Sequence, residues 1–366
     1  MSKKTNTKIL GSSWGFSKLW NNALHSLPER PLQKRGHIWA SELGGSFIDR
    51  YLKMNAVPYT NPPNDRSRRK FIAGHLWEFI VSMVLTMTGV LKEKQLRGEV
   101  ELAGLLKVSG KLDFVAGGLI DWEKARFEIA RVQQVFRLTV DEMPPFIFHA
   151  IEHILSDMEK RYEKNPLKEV VFECKSVSSF MSERIQRTNT PMPHHVLQCF
   201  HYLLSNKMDE SLLVYISKDD CIATEFSVPN NKAALRFYMG DVKQMTEYYS
   251  AGFNEKKPLA FAPPKENEIL FDDVLFRFQM NFRVEYSNYL KMLHGYDTPE
   301  DYRLRWQKDV ASWNRVFKRC VRQDKMTDMN KTVLKEAVKI FPQWDKYVLK
   351  ARLEGAFLKP ELEETE

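Results

Sequence analysis

The stretch VVFECKSV, residues 170–177, is an apolar run that ends in charged side chains. If it forms a strand, successive side chains point to opposite faces. Glu173 and Lys175 then share one face, and Cys174 shares the other face with Phe172. A carboxylate and an amine are costly to bury unless they are paired or have a function. The stretch therefore predicts either an ion pair at the end of a strand or part of a metal site.

The segments around this strand predict an α/β protein with helical additions. We expect a basic N-terminal arm over residues 1–36 and a core over 37–264, in which Ser41 caps the first helix and Gly89 ends the second. Residues 119–166 are predicted to be a helical insertion in the core, broken at Pro144-Pro145. Residues 267–366 are predicted to be a helical C-terminal extension, with its aromatic residues forming a core.

Composition excludes some classes of protein. Four widely spaced cysteines favour a reducing compartment over a disulfide framework. The longest apolar run, residues 79–90, is too short to cross a bilayer, so no membrane association is expected. The net charge of +8 weakly favours an acidic polymer as partner. The sequence has no phosphate-binding motif of the helicase type, so any motor would be a separate protein.

Four short groups of residues, each with at least one polar or charged side chain, occur in chain order. The first lies in an apolar helix, the second and third in strands, and the fourth on one face of a helix, one turn apart. The groups are Gly74 with Glu78, Gly110-Lys-Leu-Asp113, Glu173-Cys174-Lys175, and Gln198 with Tyr202.

Phosphodiester hydrolysis needs groups of these types. Two or three carboxylates can hold Mg²⁺ or Mn²⁺ and leave positions for water and phosphate. The ion lowers the pKa of bound water and neutralises developing charge, and a nearby lysine positions the water or stabilises that charge. Asp113, Glu173 and Lys175 would supply this arrangement, and the backbone carbonyl of Cys174 is placed to be a further ligand.

These motifs resemble those of the PD-(D/E)XK nuclease superfamily: G-x-x-D, E-x-K and Q-x-x-x-Y, after a helix with G-x-x-x-E. The resemblance is greatest to the RecB-like exonucleases, which include CRISPR adaptation exonucleases, the mitochondrial genome maintenance exonuclease and phage enzymes. It covers roughly residues 41–264, and four motifs in order are fairly specific although each alone is weak. The resemblance implies a restriction-endonuclease-like core, with a mixed central sheet flanked by helices, and DNA exonuclease activity that depends on Mg²⁺ or Mn²⁺.

The resemblance also implies roles for single residues. Asp113 and Glu173 are similar to the family's metal ligands, and Lys175 is similar to its catalytic lysine. Glu78 is similar to a helix residue that contacts the metal directly or through water. Gln198 and Tyr202 resemble a pair that supports the lysine and the DNA backbone.

Further residues are candidates for binding DNA. Ser41-Glu-Leu, followed by Arg50-Tyr51, resembles the family's N-terminal helix. Arg66, Arg68, Arg69 and Lys70 precede the site and would contact phosphates, although a solvated surface remains an alternative. Neighbouring histidines more often make capping or solvent contacts, so the metal site is predicted without His194, His195 and His201.

The sequence departs from the family in two respects. Iron–sulfur members have a cysteine near the first helix and three near the end of the core, whereas Cys320 is solitary here, so no cluster is expected. The separation of Asp113 from Glu173 is long for the family, and it places the insertion between two strands that should be neighbours. The insertion would be either a lid over the DNA strand or an interaction surface.

Two other functions stay open beside a DNA exonuclease that acts at a single-stranded or frayed end. One is a structure-specific endonuclease on the same fold, and the other is a non-catalytic DNA-binding or assembly protein. The resemblance implies a role in DNA replication, recombination or repair in the cytoplasm of a bacterium or a phage-infected host. A separate helicase, recombinase or replication protein is a possible partner.

Overall fold

The computed structural model describes residues 31–139, 145–162 and 167–357. Within these ranges the chain forms ten strands, twelve α-helices and a short 3-10 helix, Ala40–Glu42. The strands are β1 (His37–Trp39), β2 (Leu91–Lys94), β3 (Arg97–Val100), β4 (Lys107–Lys111), β5 (Phe114–Gly118), β6 (Leu167–Val177), β7 (Glu210–Ser217), β8 (Ala223–Pro229), β9 (Ile269–Asp272) and β10 (Arg277–Met280). The helices are α1 (Phe47–Met54), α2 (Asp65–Met87), α3 (Trp122–Thr139), α4 (Pro145–Tyr162), α5 (Ser179–Thr188), α6 (Pro193–Asn206), α7 (Lys232–Ser250), α8 (Phe282–Glu285), α9 (Leu290–His294), α10 (Pro299–Arg322), α11 (Asp328–Ile340) and α12 (Trp344–Leu353).

The central sheet has five strands in the order β2-β5-β6-β7-β8. Strands β6 and β7 are parallel and the other neighbours are antiparallel, so the sheet is mixed. Val81 and Leu85 of α2 pack with Phe114 and Cys174 on one face. Helix α6 covers the other face. The middle strands have apolar residues on both faces, so a helix must cover each face of the sheet. The predicted fold class, a mixed sheet flanked by helices, is confirmed.

Strands β5 and β6 pair in antiparallel fashion although the helical insertion separates them in the chain. Helices α3 and α4 occupy this insertion, and Ala125 and Leu155 pack with Met87 of α2. The predicted neighbourhood of the two strands is therefore confirmed. Asp113, however, is not inside a strand, because it lies at the bend between β4 and β5.

The N-terminal part of the core differs from the prediction. Residues 37–39 form β1, which runs parallel to β4 in a second sheet of order β1-β4-β3. Ser41 lies in the 3-10 helix and does not cap α1. The cap is Ser46, whose hydroxyl accepts from the Asp49 backbone N–H at 3.3 Å. Gly44 explains the difference, because its φ of +66° is left-handed and ends the preceding turn.

The C-terminal extension begins with a hairpin of β9 and β10 that the sequence pattern did not predict, and it is helical beyond it. The hairpin packs on α10 and α12 through stacked and edge-on rings. Phe278 lies 4.8 Å from Trp344 between ring centroids, and Trp313 and Phe317 are buried beside it. The predicted aromatic core of this extension is therefore present.

Helix α2 bears on the expectation of no membrane association, which was based on the apolar run 79–90. Its stretch Ser67–Met87 is long and apolar enough to cross a membrane, judged by length and composition alone. In the fold, the same helix lies against β6. Phe71, Leu76 and Phe79 of this helix are exposed to solvent, and 11% of its apolar window is buried.

Candidate active site

Two carboxylates face each other where β5 meets β6. Phe114 pairs with Phe172, so Asp113 and Glu173 are the next residues outward on the two strands. The backbone N–H of Cys174 donates to Asp113 Oδ2 at 3.0 Å. The antiparallel register thus brings together two acids that are far apart in the sequence.

Glu173 is completely buried. Its Oε1 accepts from Lys175 Nζ at 2.5 Å and from Gln198 Nε2 at 2.7 Å. Its Oε2 is buried without a hydrogen-bond partner among the described residues. A buried carboxylate oxygen without a partner is energetically costly, so it marks a place where a ligand would be stabilising.

Helix α6 holds the inner side of the site through two residues one turn apart. Gln198 Nε2 also donates to Tyr202 Oη at 3.2 Å, and Tyr202 Oη donates to the Lys111 carbonyl at 2.7 Å. Gly110 makes this possible, because a Cβ there would lie 3.1 Å from Tyr202 Oη and 2.6 Å from the Ala40 Cβ. The glycine of the G-x-x-D motif therefore leaves room for the tyrosine.

The site contains two acidic side chains and one basic side chain, and their surroundings shift the pKa of each. Burial raises the pKa of Asp113 to about 8, with a further contribution from Glu173, while Lys175 opposes the shift. Burial also raises the pKa of Glu173, again against the attraction of Lys175. Burial alone would lower the pKa of Lys175, but Glu173 and Asp113 raise it, so the amine stays charged. The single ammonium group of Lys175 therefore cannot neutralise Asp113 and Glu173 when both are ionised.

Glu78 of α2 approaches the same place from the opposite face of the sheet. Its Oε1 accepts from Gln95 Nε2 at 2.5 Å, and the Gln95 backbone N–H donates to the Asp113 carbonyl at 3.0 Å. The charge of Glu78 contributes to the raised pKa of both Asp113 and Glu173. Gln95 lies in the turn between β2 and β3, and no motif in the sequence indicated it.

No group of three or more His, Cys, Asp or Glu in the described ranges is arranged to hold a metal, so Glu78, Asp113 and Glu173 are not brought together as a set of three ligands. Mg²⁺ typically takes one or two carboxylates and keeps several waters. Asp113 and Oε2 of Glu173 are two carboxylate groups that would suit such an ion. The N–H and C=O of a strand residue point to the same side, so the Cys174 carbonyl is directed towards Asp113 as well.

The residues predicted to bind DNA differ in their positions and in their contacts. Ser41 is exposed in the 3-10 helix, which contacts α6. Arg68, Arg69 and Lys70 lie in the first turns of α2, and the Lys70 amine is 4.8 Å from the Tyr286 ring centroid. The side chain of Arg66 lies outside the described part of the structure. Their contact with DNA stays a prediction.

His201 is fully buried, so the expectation of solvent or capping contacts was wrong for it, whereas His194 and His195 are partly exposed at the start of α6. His195 Nδ1 is 3.0 Å from Tyr215 Oη, and His201 Nδ1 is 3.1 Å from Tyr238 Oη. Burial lowers the pKa of His194 to about 4, and Arg283 contributes. All three are therefore neutral at pH 7.

Comparison with known proteins gives only distant likenesses. No protein-family model matches the chain, and no curated protein matches it. Among solved structures, SSO0001 superposes with a TM-score of 0.32 at 14% identity, covering 64% of this chain and 86% of that one. An alkaline exonuclease from Laribacter hongkongensis gives a TM-score of 0.31 at 11% identity, covering 64% of this chain and 96% of that one. Likenesses this low assign neither a family nor an activity.

Proposed function

We propose that the protein is a Mg²⁺- or Mn²⁺-dependent deoxyribonuclease that hydrolyses phosphodiester bonds at a single-stranded or frayed DNA end. The observation that carries the proposal is the meeting of Asp113, Glu173 and Lys175 at the end of β5, where Glu173 Oε2 is buried without a hydrogen-bond partner in the described part of the chain. A structural ion pair would need one acid and one base. A second acid beside a carboxylate oxygen that lacks a partner among the described residues is what a cation site would offer, and this supports the proposal.

Each residue has a distinct role in this proposal. Asp113, Glu173 Oε2 and the Cys174 carbonyl would hold the ion, which supplies a water of lowered pKa and a positive charge at the phosphate. Lys175 keeps its proton at Nζ and is 23% exposed, so the amine can reach a phosphate oxygen while Glu173 holds it in place. Gln198 orients Glu173, and the burial of these groups excludes bulk water.

The surroundings suit a polyanionic substrate. The net charge of the chain is +8, and the basic first turns of α2 lead towards Glu78 on the same helix. Lys and Arg near the scissile bond would neutralise phosphates and make binding depend on salt. In this proposal α2 is the helix that carries Glu78 in a nuclease core, rather than a membrane anchor.

The test compares cleavage with binding in matched variants. End-labelled linear DNA, end-blocked DNA and circular single-stranded DNA are incubated with Mg²⁺, Mn²⁺ or EDTA. We expect metal-dependent shortening of linear DNA by the wild type, and a loss of at least a hundredfold in Asp113→Asn and Lys175→Gln, with DNA binding retained. Persistent cleavage in both variants would place the catalytic centre elsewhere. Cleavage of the circle would instead identify an endonuclease.

The biological setting is part of the same proposal. A DNA end that must be trimmed arises in replication, recombination and repair, and a separate helicase, recombinase or replication protein would deliver it. We propose the cytoplasm of a bacterium or a phage-infected host as the location. Co-purification with a tagged chain during DNA damage or phage infection would identify such a partner.

A further inference from the structure

A cavity of about 580 Å³ separates the first half of α2 from the C-terminal extension. Two aromatic rings line it: Phe71 of α2, 59% exposed, and Tyr286, which follows α8 and is 52% exposed. Lys53 of α1 and Lys70 of α2 line it as well. The lining therefore combines aromatic faces with amines, and its volume is in the range of sites for small organic ligands.

One stripe of α2 leads from Phe71, in the lining of the cavity, to Glu78 of the candidate active site. Phe71, Gly74 and Glu78 are spaced by three and four residues, so they follow one another on the same side of the helix. Gly74 faces β6, where a Cβ on it would lie 3.8 Å from Ser176 Oγ. Phe71 and Glu78 are seven residues apart, which corresponds to roughly 10 Å along the helix axis. The cavity and Glu78 are therefore separated by about two turns of the same helix.

The charges of the cavity favour an anionic occupant. Its two lining acids already have basic partners: Glu285 is 3.4 Å from Arg303, and Asp297 is 2.7 Å from Lys291. Lys53 adds a positive charge to the lining, and this charge also acts on the buried Asp49. Lys70 lies against the Tyr286 ring, which keeps its amine at the wall of the cavity.

We propose that this cavity binds unpaired nucleotides of the DNA strand that enters the active site, with a base stacked on Tyr286 and a phosphate beside Lys70. The inference rests on the proposed function, and it identifies the C-terminal extension as part of the substrate-binding surface. Aromatic residues stack on every base, but only when the base is unpaired and its face is accessible. The substrate is therefore single-stranded DNA at this point, and a duplex would have to fray before it enters.

The experiment measures binding and cleavage in the full-length chain. Fluorescein-labelled oligo-dT of about a dozen nucleotides is titrated into Asp113→Asn, which cannot cleave, with and without a second substitution. We expect Tyr286→Ala to weaken binding about tenfold and Tyr286→Phe to leave it within about twofold, because the phenyl ring still stacks. Phe261→Ala, at an exposed ring outside the cavity, is the matched control and should have no effect. In the active chain, Tyr286→Ala should raise KM and leave kcat unchanged.

The outcomes separate this inference from the proposed nuclease activity. Equal binding by Tyr286→Ala and Tyr286→Phe, with cleavage by the wild type intact, would overturn the strand site and leave the nuclease standing. Tyr286-dependent binding in a chain that never cleaves DNA would support the strand site and overturn the nuclease. Equal or tighter binding of blunt duplex DNA would also contradict the inference, as would the absence of any binding.

Discussion

Replacing Asp113 by Asn should stabilise the metal-free protein. The fold raises the pKa of Asp113, so the folded chain holds this proton more tightly than the unfolded chain does. The stability that this acid contributes is therefore complete below pH 3.8 and is lost as the pH rises to about 8. At pH 7 the unfolded chain has released this proton, whereas the folded chain largely keeps it. Asparagine has no proton to release, and its carbonyl can still accept from the Cys174 N–H.

The magnitude follows from the width of that pH window. At about 1.4 kcal/mol per pH unit, the roughly three units between the ordinary pKa and pH 7 set an upper bound of about 4 kcal/mol. Water reaches part of the Asp113 side chain, which reduces the effect. We therefore expect Asp113→Asn to raise the free energy of unfolding by about 2 kcal/mol at pH 7 in EDTA, and by nearly nothing at pH 4.

The assay is urea unfolding, followed by tryptophan fluorescence, at pH values from 4 to 8. Asp324→Asn, at an exposed position, is the control and should follow the wild type. Adding Mg²⁺ should stabilise the wild type and not Asp113→Asn, because only the wild type offers both carboxylates. If Asp113→Asn is no more stable than the wild type at pH 7 in EDTA, the two acids are not held together as described.

Three further changes test other parts of the site. Lys175→Met leaves Glu173 buried without its cation, so it should lower the free energy of unfolding by about 3 kcal/mol at pH 8 in EDTA and by less at pH 5. Urea unfolding at the two pH values measures the difference. An equal loss of stability at both would contradict the pairing. Gly110→Ala should destabilise by about 2 kcal/mol through the contact with Ala40, whereas Gly240→Ala, which meets nothing within 4 Å, should not; thermal melts compare the two. Glu78→Gln should raise the Mg²⁺ concentration for half-maximal cleavage about tenfold and leave the rate at saturating Mg²⁺ nearly unchanged, and an unaltered Mg²⁺ titration would remove Glu78 from the site.

The spacing of polar and apolar residues along the sequence was enough to predict much of the core. The alternation in residues 170–177 correctly indicated that Glu173 and Lys175 share a face, and the motif order indicated that β5 and β6 are neighbours across the insertion. Helical spacing placed Gln198 and Tyr202 together. Each of these inferences depends on contacts within one element or on the pairing of two strands, and periodicity reports such contacts directly.

Other features depend on contacts between distant segments, which periodicity does not report. The hairpin of β9 and β10 has short strands and is stabilised by packing on α10 and α12, as between Phe278 and Trp344. Gln95 reaches the site only because β2 and β5 pair. Tyr286 approaches Lys70 across the interface between the core and the extension. No local pattern distinguishes these residues from ordinary turn or surface residues.

The proposed function requires Asp113 and Glu173 to bind one divalent ion. A crystal structure with Mn²⁺, recorded near the manganese absorption edge, tests it most directly. We predict an anomalous peak about 2.2 Å from Glu173 Oε2 and from a carboxylate oxygen of Asp113, with Lys175 still bound to Glu173. A peak elsewhere, with these two carboxylates free of metal, would contradict the account.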